Sequence, residues 1–266
     1  MKIGIIGLGL IGGSLFKDLS KNYDVIAVSK SQSGDRIFKT YDVLKDRNIV
    51  FVCTPMNKTL KVLDELENYL SPDTIVTVVC SLKEFVCKKE RPYIFIPSHP
   101  MAGTEHKGFE NSFEGLFKGA KWVVIRAAKQ LGSEAAKNEK DRKAGGQAIL
   151  QEIIRYVGAE VVYTTAEEHD KAVAMISHMP MVLAQALVLS IKDNPLAKEI
   201  AASGFRDMTR LALSNEEMAC DMVSMNSKNI EQAILNLYKS VGELTSGNYP
   251  EIIKELKQIR SKMYNK

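Results

Sequence analysis

Two polar segments of the sequence follow short apolar runs in which buried strands are expected. Ser81 comes just after the run that ends at Val79, and His99 lies in the motif SHPMAG, which follows the run ending at Ile96. In an open α/β sheet, ligands bind beyond the carboxyl ends of the strands. A histidine there can accept the proton of a hydroxyl group as hydride leaves its carbon, since imidazole titrates near neutral pH. We therefore predict His99 and Ser81 as catalytic residues, with the serine orienting the imidazole, although a lone histidine is more often structural.

A second group of candidate residues lies in the C-terminal part of the chain. Arg206 and Arg210 are four residues apart and would share one face of a helix. Two guanidinium groups there could bind a substrate with two carboxylates, but Arg210 could equally form a surface ion pair with Asp207. His169 and His178 are nine residues apart, about 180° around a straight helix, so at most one of them should contact a ligand directly.

The N-terminal segment carries the glycine fingerprint of dinucleotide-binding proteins. The motif G-x-G-x-x-G lies between an apolar run and a segment of helical pattern, which is the context that this fingerprint requires. The first glycine allows a tight turn, the second lets the backbone approach the pyrophosphate, and the third allows helix and strand to pack closely. A glycine-rich turn without a ligand is the alternative. The predicted cofactor contacts in this segment are Gly7, Gly9, Leu10, Ile11 and Gly12.

The end of the second predicted strand indicates which dinucleotide is expected. An Asp or Glu there would bind the ribose hydroxyls of NAD and repel a 2′-phosphate, but this sequence has Ser29, Lys30 and Ser31. Two hydroxyls and an ammonium group suit a phosphate, and Arg36 could add a second cation. We predict NADP as the preferred cofactor and NAD as the alternative, although a solvated loop would also explain these residues. Two further residues complete the predicted cofactor site, Thr54 and Pro55.

The elements that must position these residues follow from the apolar pattern. Seven short apolar runs before residue 165 are typical of buried strands, and segments of helical length such as 60–70 separate several of them. This alternation predicts an α/β fold with a Rossmann-type, doubly wound parallel sheet. The runs are 3–6, 25–28, 49–52, 75–79, 93–96, 122–125 and 161–163.

Helical periodicity replaces the strand pattern after residue 165. Thr165 and Glu168 have the spacing of a capping box, so a helix should begin there and continue through 166–191. Pro180 should distort this helix, because proline lacks an amide donor. Further helices are predicted over 216–224, 229–244 and 251–263.

This change of pattern divides the chain into two predicted domains. Residues 1–165 would form the dinucleotide-binding domain, and residues 166–266 would form an all-helical C-terminal domain. Residues 127–146, which are rich in Lys, Glu, Ala and Gly, are predicted as a polar excursion between the last two strands.

The composition argues against several classes of protein. The 266 residues include 36 Lys and Arg and 32 Asp and Glu, a formal net charge of +4, and without a long basic run we expect no nucleic-acid partner. The four cysteines form no C-x-x-C pair and have no nearby histidine at ligand spacing, so we expect reduced thiols and no metal. No apolar run approaches the ~18 residues that a membrane span needs. We therefore expect a soluble, cytoplasmic protein without a membrane partner.

Four segments resemble the prephenate and arogenate dehydrogenase family in sequence and in order: GLGLIGGSL, SHPMAGTEHKGFENSFEGLF, EEHDKAVAMISHMP and SGFRDMTRLA. The match covers nearly the whole chain and is most similar to the short arogenate dehydrogenases of cyanobacteria. The resemblance implies oxidative decarboxylation of prephenate to 4-hydroxyphenylpyruvate or of arogenate to tyrosine, with hydride transfer to the nicotinamide. It also implies a homodimer formed through the helical domain. One departure is Val78, which stands where many relatives have an Asp.

The same resemblance implies roles for individual residues. His99 would hydrogen-bond the ring hydroxyl of the substrate, with Ser81 as a neighbouring hydroxyl. Arg206 would bind a substrate carboxylate, and His178 would belong to the substrate pocket. Asp170 is our candidate to bind the ammonium group of arogenate, which predicts a preference for arogenate over prephenate. An acid in the first turn of a helix is also favourable without any ligand.

Two other functions remain open at this point. A β-hydroxyacid dehydrogenase or imine reductase-like NADP oxidoreductase would share the first thirty residues. Enzymes of that group typically carry a catalytic lysine on a glycine-rich helix, and this sequence has no such segment. A non-catalytic NADP-sensing protein would need only the cofactor half of the site, so the full set of Ser81, His99 and Arg206 favours an enzyme.

Overall fold

The computed structural model describes residues 1–104, 106–126 and 134–264, with the side chains of all of these except residues 134–140. The described strands are β1 (Lys2–Ile6), β2 (Asp24–Val28), β3 (Ile37–Phe38), β4 (Ile49–Val52), β5 (Ile75–Val78), β6 (Ile94–Phe95), β7 (Ser98–Pro100), β8 (Lys121–Ile125) and β9 (Glu160–Thr164). The described helices are α1 (Leu10–Leu19), α2 (Met56–Leu66), α3 (Glu134–Tyr156), α4 (Ala166–Val173), α5 (Met179–Ser190), α6 (Pro195–Glu199), α7 (Ser203–Thr209), α8 (Glu216–Met225), α9 (Ser227–Ser246) and α10 (Tyr249–Tyr264).

The main sheet is parallel and has the strand order β3-β2-β1-β4-β5-β6, which is the order of dinucleotide-binding sheets. Ile3 of β1 pairs with Val25 of β2 on one side and with Ile49 of β4 on the other. All three side chains are inaccessible to solvent, because strands covered by helices on both faces need continuous apolar runs. The prediction of a doubly wound parallel sheet is confirmed for the first five apolar runs.

The last two predicted strands form a separate sheet, which differs from the prediction. β8 pairs with β9 in parallel and with β7 in antiparallel orientation. The main sheet ends after Ile96, whose amide still donates to the carbonyl of Val76, and Pro97 lies where the chain passes from β6 to β7. The carbonyl of Pro97 instead accepts the amide of Ile125. This change of sheet places His99 within β7.

Two apolar cores lie on the two faces of the main sheet. One contains Leu15 of α1, Ile153 of α3 and the fully buried Trp122. The other contains Leu63 of α2 together with Met181 of α5. Because complete burial of such a side chain contributes about 1.5–3 kcal/mol, the second core fixes the C-terminal helices against the sheet. The segment predicted as a polar excursion is helical from Glu134 onward, as its Ala, Glu and Lys content favours, and residues 127–133 lie outside the described residues.

The chain after β9 is helical, as predicted, and it begins with the expected capping box. The amide of Glu168 donates to the Thr165 hydroxyl, and the Glu168 carboxylate accepts the Thr165 amide. A π-helical turn, Ala174–His178, separates α4 from α5 just before Pro180, which confirms the predicted distortion. The short helix α6 was not predicted, since it is too brief to show a period. A helix was expected around Arg206, and α7 is that helix.

The stretch Ala166–Ser190 is long and apolar enough to cross a membrane by length and composition alone. The expectation that no segment approaches this length was therefore wrong. In the fold this stretch carries a buried histidine and carboxylate, His169 and Asp170, and Met181 lies in the second core. Facing elements satisfy these buried titratable groups with hydrogen bonds.

Candidate active site

One large cavity opens at the carboxyl ends of the main sheet, where ligands bind in open α/β folds. Its volume of about 1210 Å³ exceeds the roughly 300–1,000 Å³ that a drug-sized ligand needs, so a dinucleotide and a small substrate could share it. All the residues predicted to contact the cofactor line this cavity, with the exception of Gly12. Ser81, His99, His178 and Arg210 line it as well.

The turn after β1 has the shape that a pyrophosphate requires. Gly7 has φ +89°, and a Cβ on it would lie 2.8 Å from the carbonyl oxygen of Cys53. A Cβ on Gly9 would meet no atom within 4 Å, so the backbone there faces open space at the uncapped N-terminus of α1, where free amides bind anions. Gly12 does not line the cavity. A Cβ on it would clash with the Gly7 carbonyl, so its role is the close packing of α1.

The loop after β2 carries the groups that suit a phosphate. Ser29, Lys30 and Ser31 line the cavity, and the Ser29 hydroxyl accepts the amide of Gln32 at 3.1 Å. Lys39, which also lines the cavity, donates from Nζ to the carbonyl oxygens of Ser29, Lys30 and Gln32. This ammonium group therefore fixes the loop and adds a second positive charge beside it.

Arg36 does not provide that charge, contrary to the expectation from the sequence. Its guanidinium lies 3.7 Å from the carboxylate of Asp24, and it is not among the residues that line the cavity. The backbone of Arg36 has φ +59°, the left-handed conformation that non-glycine residues rarely adopt, which turns the chain between the loop and β3.

A chain of hydrogen bonds joins three side chains below the cavity. His99 Nδ1 lies 2.9 Å from His169 Nε2, and His169 Nδ1 lies 2.7 Å from Asp170 Oδ1. The Asp170 carboxylate also accepts the backbone amides of Lys83 at 2.8 Å and Glu84 at 2.9 Å. His169 and Asp170 are almost inaccessible to solvent, at 2% and 3% exposed, whereas His99 reaches the cavity.

This chain determines which nitrogen of His99 has a lone pair for the substrate. A carboxylate only accepts hydrogen bonds, so His169 must carry its proton on Nδ1. With His169 neutral, Nε2 then accepts, and His99 must donate from Nδ1. The lone pair of His99 therefore lies on Nε2, the nitrogen that His169 leaves free. Burial, followed by the positive charge of Lys83, holds the pKa of His99 well below its ordinary value, so the ring is a neutral acceptor.

The fully buried Lys83 holds the main chain around this site. Its ammonium group donates to the carbonyl oxygen of Ser98 at 2.7 Å and to that of Val78 at 3.3 Å, and burial lowers its pKa. Two backbone carbonyl groups thus stabilise the ammonium group here. Ser81 lines the cavity but makes no hydrogen bond to His99 among the described residues. His169 orients the imidazole in its place.

The structure does not place Asp170 where the sequence argument needed it. Both of its carboxylate oxygens accept hydrogen bonds from the protein, and it is not among the residues that line the cavity. Its carboxylate instead accepts the amides of Lys83 and Glu84, which follow β5 in the chain. The correction removes the residue on which the predicted preference for arogenate depended.

The π-helical turn brings both histidines of this helix toward the same centre. Its i→i+5 bonds widen one turn, so His169 and His178 no longer lie on opposite sides. His178 lines the cavity, while His169 lies behind His99. That at most one of the two contacts a ligand stays a prediction. Burial lowers the pKa of His178 to about 4.

The two arginines of the GFRDMTR motif occupy different places. Arg210 lines the cavity, whereas the side chain of Arg206 is 79% exposed, with Nε 3.7 Å from Asp207. From the sequence we expected Arg206 to bind a substrate carboxylate and considered a surface ion pair between Arg210 and Asp207. In the structure it is Arg210 that lines the cavity and Arg206 that lies near Asp207. The reason is that α7 ends at Thr209 and a 3₁₀ turn, Arg210–Leu213, follows it. The two residues therefore do not share one helix face.

Within the described residues, no cluster of three or more His, Cys, Asp or Glu side chains could hold a metal.

Comparison with known proteins identifies the family. Residues 21–138 match the family "Prephenate dehydrogenase, nucleotide-binding domain", and residues 165–258 match "Prephenate dehydrogenase, dimerization domain". The chain belongs to the prephenate dehydrogenase family. The resemblance inferred from the four sequence segments is confirmed, and so is the combination of a Rossmann-type N-terminal part with a helical C-terminal part.

Individual relatives of the prephenate dehydrogenase family carry related names. The chain is 31% identical to a prephenate dehydrogenase of Bacillus subtilis over 85% of this chain and 64% of that protein. It is 27% identical to a cyclohexadienyl dehydrogenase of Zymomonas mobilis over 85% of this chain and 80% of that protein. The crystal structure of Synechocystis arogenate dehydrogenase superposes with a TM-score of 0.78 at 30% identity, covering 99% of each chain. The chain thus spans about two thirds of the Bacillus protein and nearly all of the cyanobacterial one.

Two residues of the site, Lys39 and Asn226, were not predicted from the sequence, and the role of His169 behind His99 was not predicted either. His169 and His99 are 70 residues apart, so no local spacing could connect them. Lys39 has no motif around it and reaches the loop only because β3 pairs with β2. Asn226, which hydrogen-bonds His178 at 3.2 Å, lies between α8 and α9 without any sequence signal that we could find.

Proposed function

We propose that this protein catalyses the oxidative decarboxylation of prephenate to 4-hydroxyphenylpyruvate or of arogenate to tyrosine, with NADP as the hydride acceptor. The observation that carries the proposal is the buried chain Asp170–His169–His99, which ends in a lone pair at the cavity. A protein that only senses a dinucleotide has no need of such a chain. The family assignment argues against the alternative of a β-hydroxyacid dehydrogenase or imine reductase.

The chemistry assigns a task to each group of the chain. His99 Nε2 accepts the proton of the ring hydroxyl, while the hydride leaves the carbon that bears it. The ring carboxylate departs as carbon dioxide, and the electrons of the broken carbon–carbon bond complete the aromatic ring. His169 and Asp170 stabilise the imidazolium that forms, because the carboxylate compensates the positive charge through His169. Bound NADP would supply the nicotinamide carbon that takes the hydride.

The substrate carries two carboxylates, and the cavity offers groups that would bind them. Arg210 can form two parallel hydrogen bonds with a carboxylate, and His178 and Ser81 can add further polar contacts. We propose Arg210 for this role in place of Arg206. Because protein N–H groups already bond to the Asp170 carboxylate, a preference for arogenate rests on the family resemblance alone. The proposal therefore includes both prephenate and arogenate as substrates.

NADP is proposed over NAD because the groups around the end of β2 suit a 2′-phosphate. Ser29 and Ser31 provide hydroxyls, and Lys30 and Lys39 provide two ammonium groups around the same loop. A carboxylate that would bind the ribose hydroxyls of NAD is absent from positions 29–31. NAD remains the alternative, since the pyrophosphate turn serves both dinucleotides.

A homodimer of two-domain chains is part of the proposal. Residues 1–165 would bind the dinucleotide, and residues 166–266 would contribute to the substrate site and to the dimer interface. Large apolar side chains of the helical part are exposed, among them Leu189 at 68%, Leu213 at 82% and Tyr238 at 77%, and a second copy would cover such a surface. We place this dimer in the cytoplasm, without a membrane or nucleic-acid partner.

An absorbance assay of reduced-cofactor formation tests the proposal. Prephenate and arogenate are each supplied with NADP and with NAD, and the product is identified by chromatography as 4-hydroxyphenylpyruvate or tyrosine. We expect turnover of at least one substrate, with a higher kcat/KM for NADP than for NAD. Absence of turnover with either substrate, in a protein that binds NADP, would favour the sensor. A better kcat/KM with NAD would overturn the cofactor assignment alone.

A further inference from the structure

Asn226 holds three parts of the helical region together through one side-chain amide. Nδ2 lies 3.0 Å from the backbone carbonyl oxygen of Asp170 and 3.2 Å from His178 Nδ1. Oδ1 accepts Asn229 Nδ2 at 2.8 Å. Asn226 is only 5% exposed, so water cannot easily replace these bonds, and a buried amide with such partners is expected to be rigid.

The orientation of this amide follows from its partners. A backbone carbonyl can only accept a hydrogen bond, so the atom of Asn226 that faces the Asp170 carbonyl must be the NH₂ group. The same NH₂ group faces His178, and it must therefore donate to Nδ1. The Asn229 donor on the other side of the amide agrees with this orientation, because it needs Oδ1 as its acceptor.

The hydrogen bond that Asn226 donates to Nδ1 determines which nitrogen of His178 carries the proton. A neutral imidazole has one N–H and one lone pair, and Nδ1 must use its lone pair to accept from Asn226. The proton is then on Nε2, which has no hydrogen-bond partner among the described residues, and the ring lines the cavity. Burial keeps the ring neutral near pH 7.

We propose that Asn226 is a positioning residue that holds neutral His178 with its proton on Nε2, so that His178 donates a hydrogen bond to an oxygen of the substrate. His99 presents the opposite tautomer, with a lone pair on Nε2. Two neutral histidines of one cavity thus have different tasks, because each is fixed by a different buried partner. The inference rests on the proposed function, since it treats His178 as part of the substrate site.

Nuclear magnetic resonance of ¹⁵N-histidine-labelled protein tests the tautomer directly. The chain has four histidines, and a His178→Gln variant assigns the signals of this ring. In the unaltered protein at pH 7 we expect a protonated Nε2 and an unprotonated Nδ1. In Asn226→Asp a carboxylate would accept from Nδ1, so the proton should move to that nitrogen. Asn236→Asp, which adds the same charge on an exposed turn of α9, is the control and should leave the tautomer unchanged.

Kinetics provide a second measurement that a purely structural role would not predict. Asn226→Asp should lower kcat/KM by roughly 5- to 150-fold, the effect of losing one buried hydrogen-bond donor, with little change in NADP affinity. In the His178→Gln background the same substitution should cost less than about 2-fold, because the histidine it positions is gone.

The outcomes are distinguishable. A protonated Nδ1 in the unaltered protein would overturn the inference, even if Asn226→Asp does not fold, since that measurement needs no variant at position 226. An equal loss of kcat/KM with and without His178 would also overturn it. Inactivity toward both prephenate and arogenate would contradict the proposed function, whereas the tautomer is read without turnover.

Discussion

The two ends of the cavity are built in different ways. The cofactor end consists mainly of a glycine turn, a helix N-terminus and the loop after β2, most of it within residues 7–39, with Thr54 and Pro55 beside them. The substrate end consists of side chains from β7, α4 and the π-helical turn, and each histidine is oriented by a buried partner. The comparison indicates that binding of a common ligand can be specified locally. Catalysis requires groups from distant parts of the chain, because charges must be placed and shielded from water.

The largest effect is expected where the substrate end meets the reacting atoms. His99→Ala should lower kcat by roughly 10²- to 10⁴-fold, the usual contribution of a general base. The dissociation constant for NADP, measured by fluorescence titration, should change little, because the cofactor end does not depend on this side chain. Near-normal turnover would remove His99 from the mechanism and with it the contrast between the two ends.

Asp170→Asn tests whether the hydrogen-bond chain orients His99. The carboxylate accepts three N–H groups on two oxygens, whereas an amide has only one acceptor oxygen. His169 should therefore lose its defined tautomer, and kcat should fall by at least about 10²-fold, as for loss of the base.

The ratio of kcat/KM for arogenate to that for prephenate distinguishes this role from the one suggested by the sequence. We expect Asp170→Asn to leave the ratio unchanged. A selective loss with arogenate would restore Asp170 as a contact of the substrate ammonium group.

A pair of variants tests which arginine belongs to the substrate end. Arg210→Ala should raise KM for the substrate roughly 10- to 100-fold, since a hydrogen bond to a charged group contributes about 1.5–3 kcal/mol. Arg210→Lys should recover little, because lysine has no bidentate fork. Arg206→Ala, the matched control on the exposed surface, should change KM less than about 2-fold, since exposed pairs contribute little. A large increase in KM for Arg206→Ala with little change for Arg210→Ala would assign binding of the substrate carboxylate to Arg206.

The cofactor end is tested by Ser29→Asp. A carboxylate at this position should repel the 2′-phosphate by about 1–4 kcal/mol at contact distance and accept the ribose hydroxyls of NAD. The ratio of kcat/KM for NADP to that for NAD should fall at least about 5-fold, while KM for the substrate stays constant. An unchanged ratio would show that the loop does not contact the 2′ position.

The smallest expected effect is in the pH dependence. Burial lowers the pKa of His99, and protonation would remove its lone pair, so kcat/KM should persist on acidification below about pH 6.5, the ordinary histidine pKa.

The stability of the fold should also depend on pH. The pKa of His178 is about 4 in the folded protein and about 6.5 when unfolded. The unfolded state therefore binds the proton first, and the unfolding free energy should fall as the pH decreases from 6.5 toward 4.

Urea denaturation at pH 7 and pH 5 measures this change, and His178→Gln should reduce it. A loss of kcat/KM centred at or above pH 6.5 would show that His99 is not shielded as described.

Much of the fold could be predicted because its signals are local. The runs at 3–6, 25–28 and 49–52 each became a strand of the main sheet within about one residue of the expected bounds. The helix that begins at Thr165 was visible from its capping box. The assignment of β8 and β9 to a separate sheet could not be predicted, because apolar runs indicate strands but not their partners.

The sequence by itself determined the dinucleotide fingerprint and the family, and it identified His99 and His178 as candidates. It could not determine which residue supports which. Arg210 and Arg206 exchanged their expected places because a helix ended one residue before Arg210. Asp170, predicted to bind the substrate, hydrogen-bonds His169 instead. Lys39 and Asn226 belong to the site although no sequence motif indicated them. Tertiary structure decided these points, because a tautomer, a buried charge or an exposed guanidinium depends on the groups that folding brings within about 3 Å, and the spacing of residues along the chain does not contain that distance.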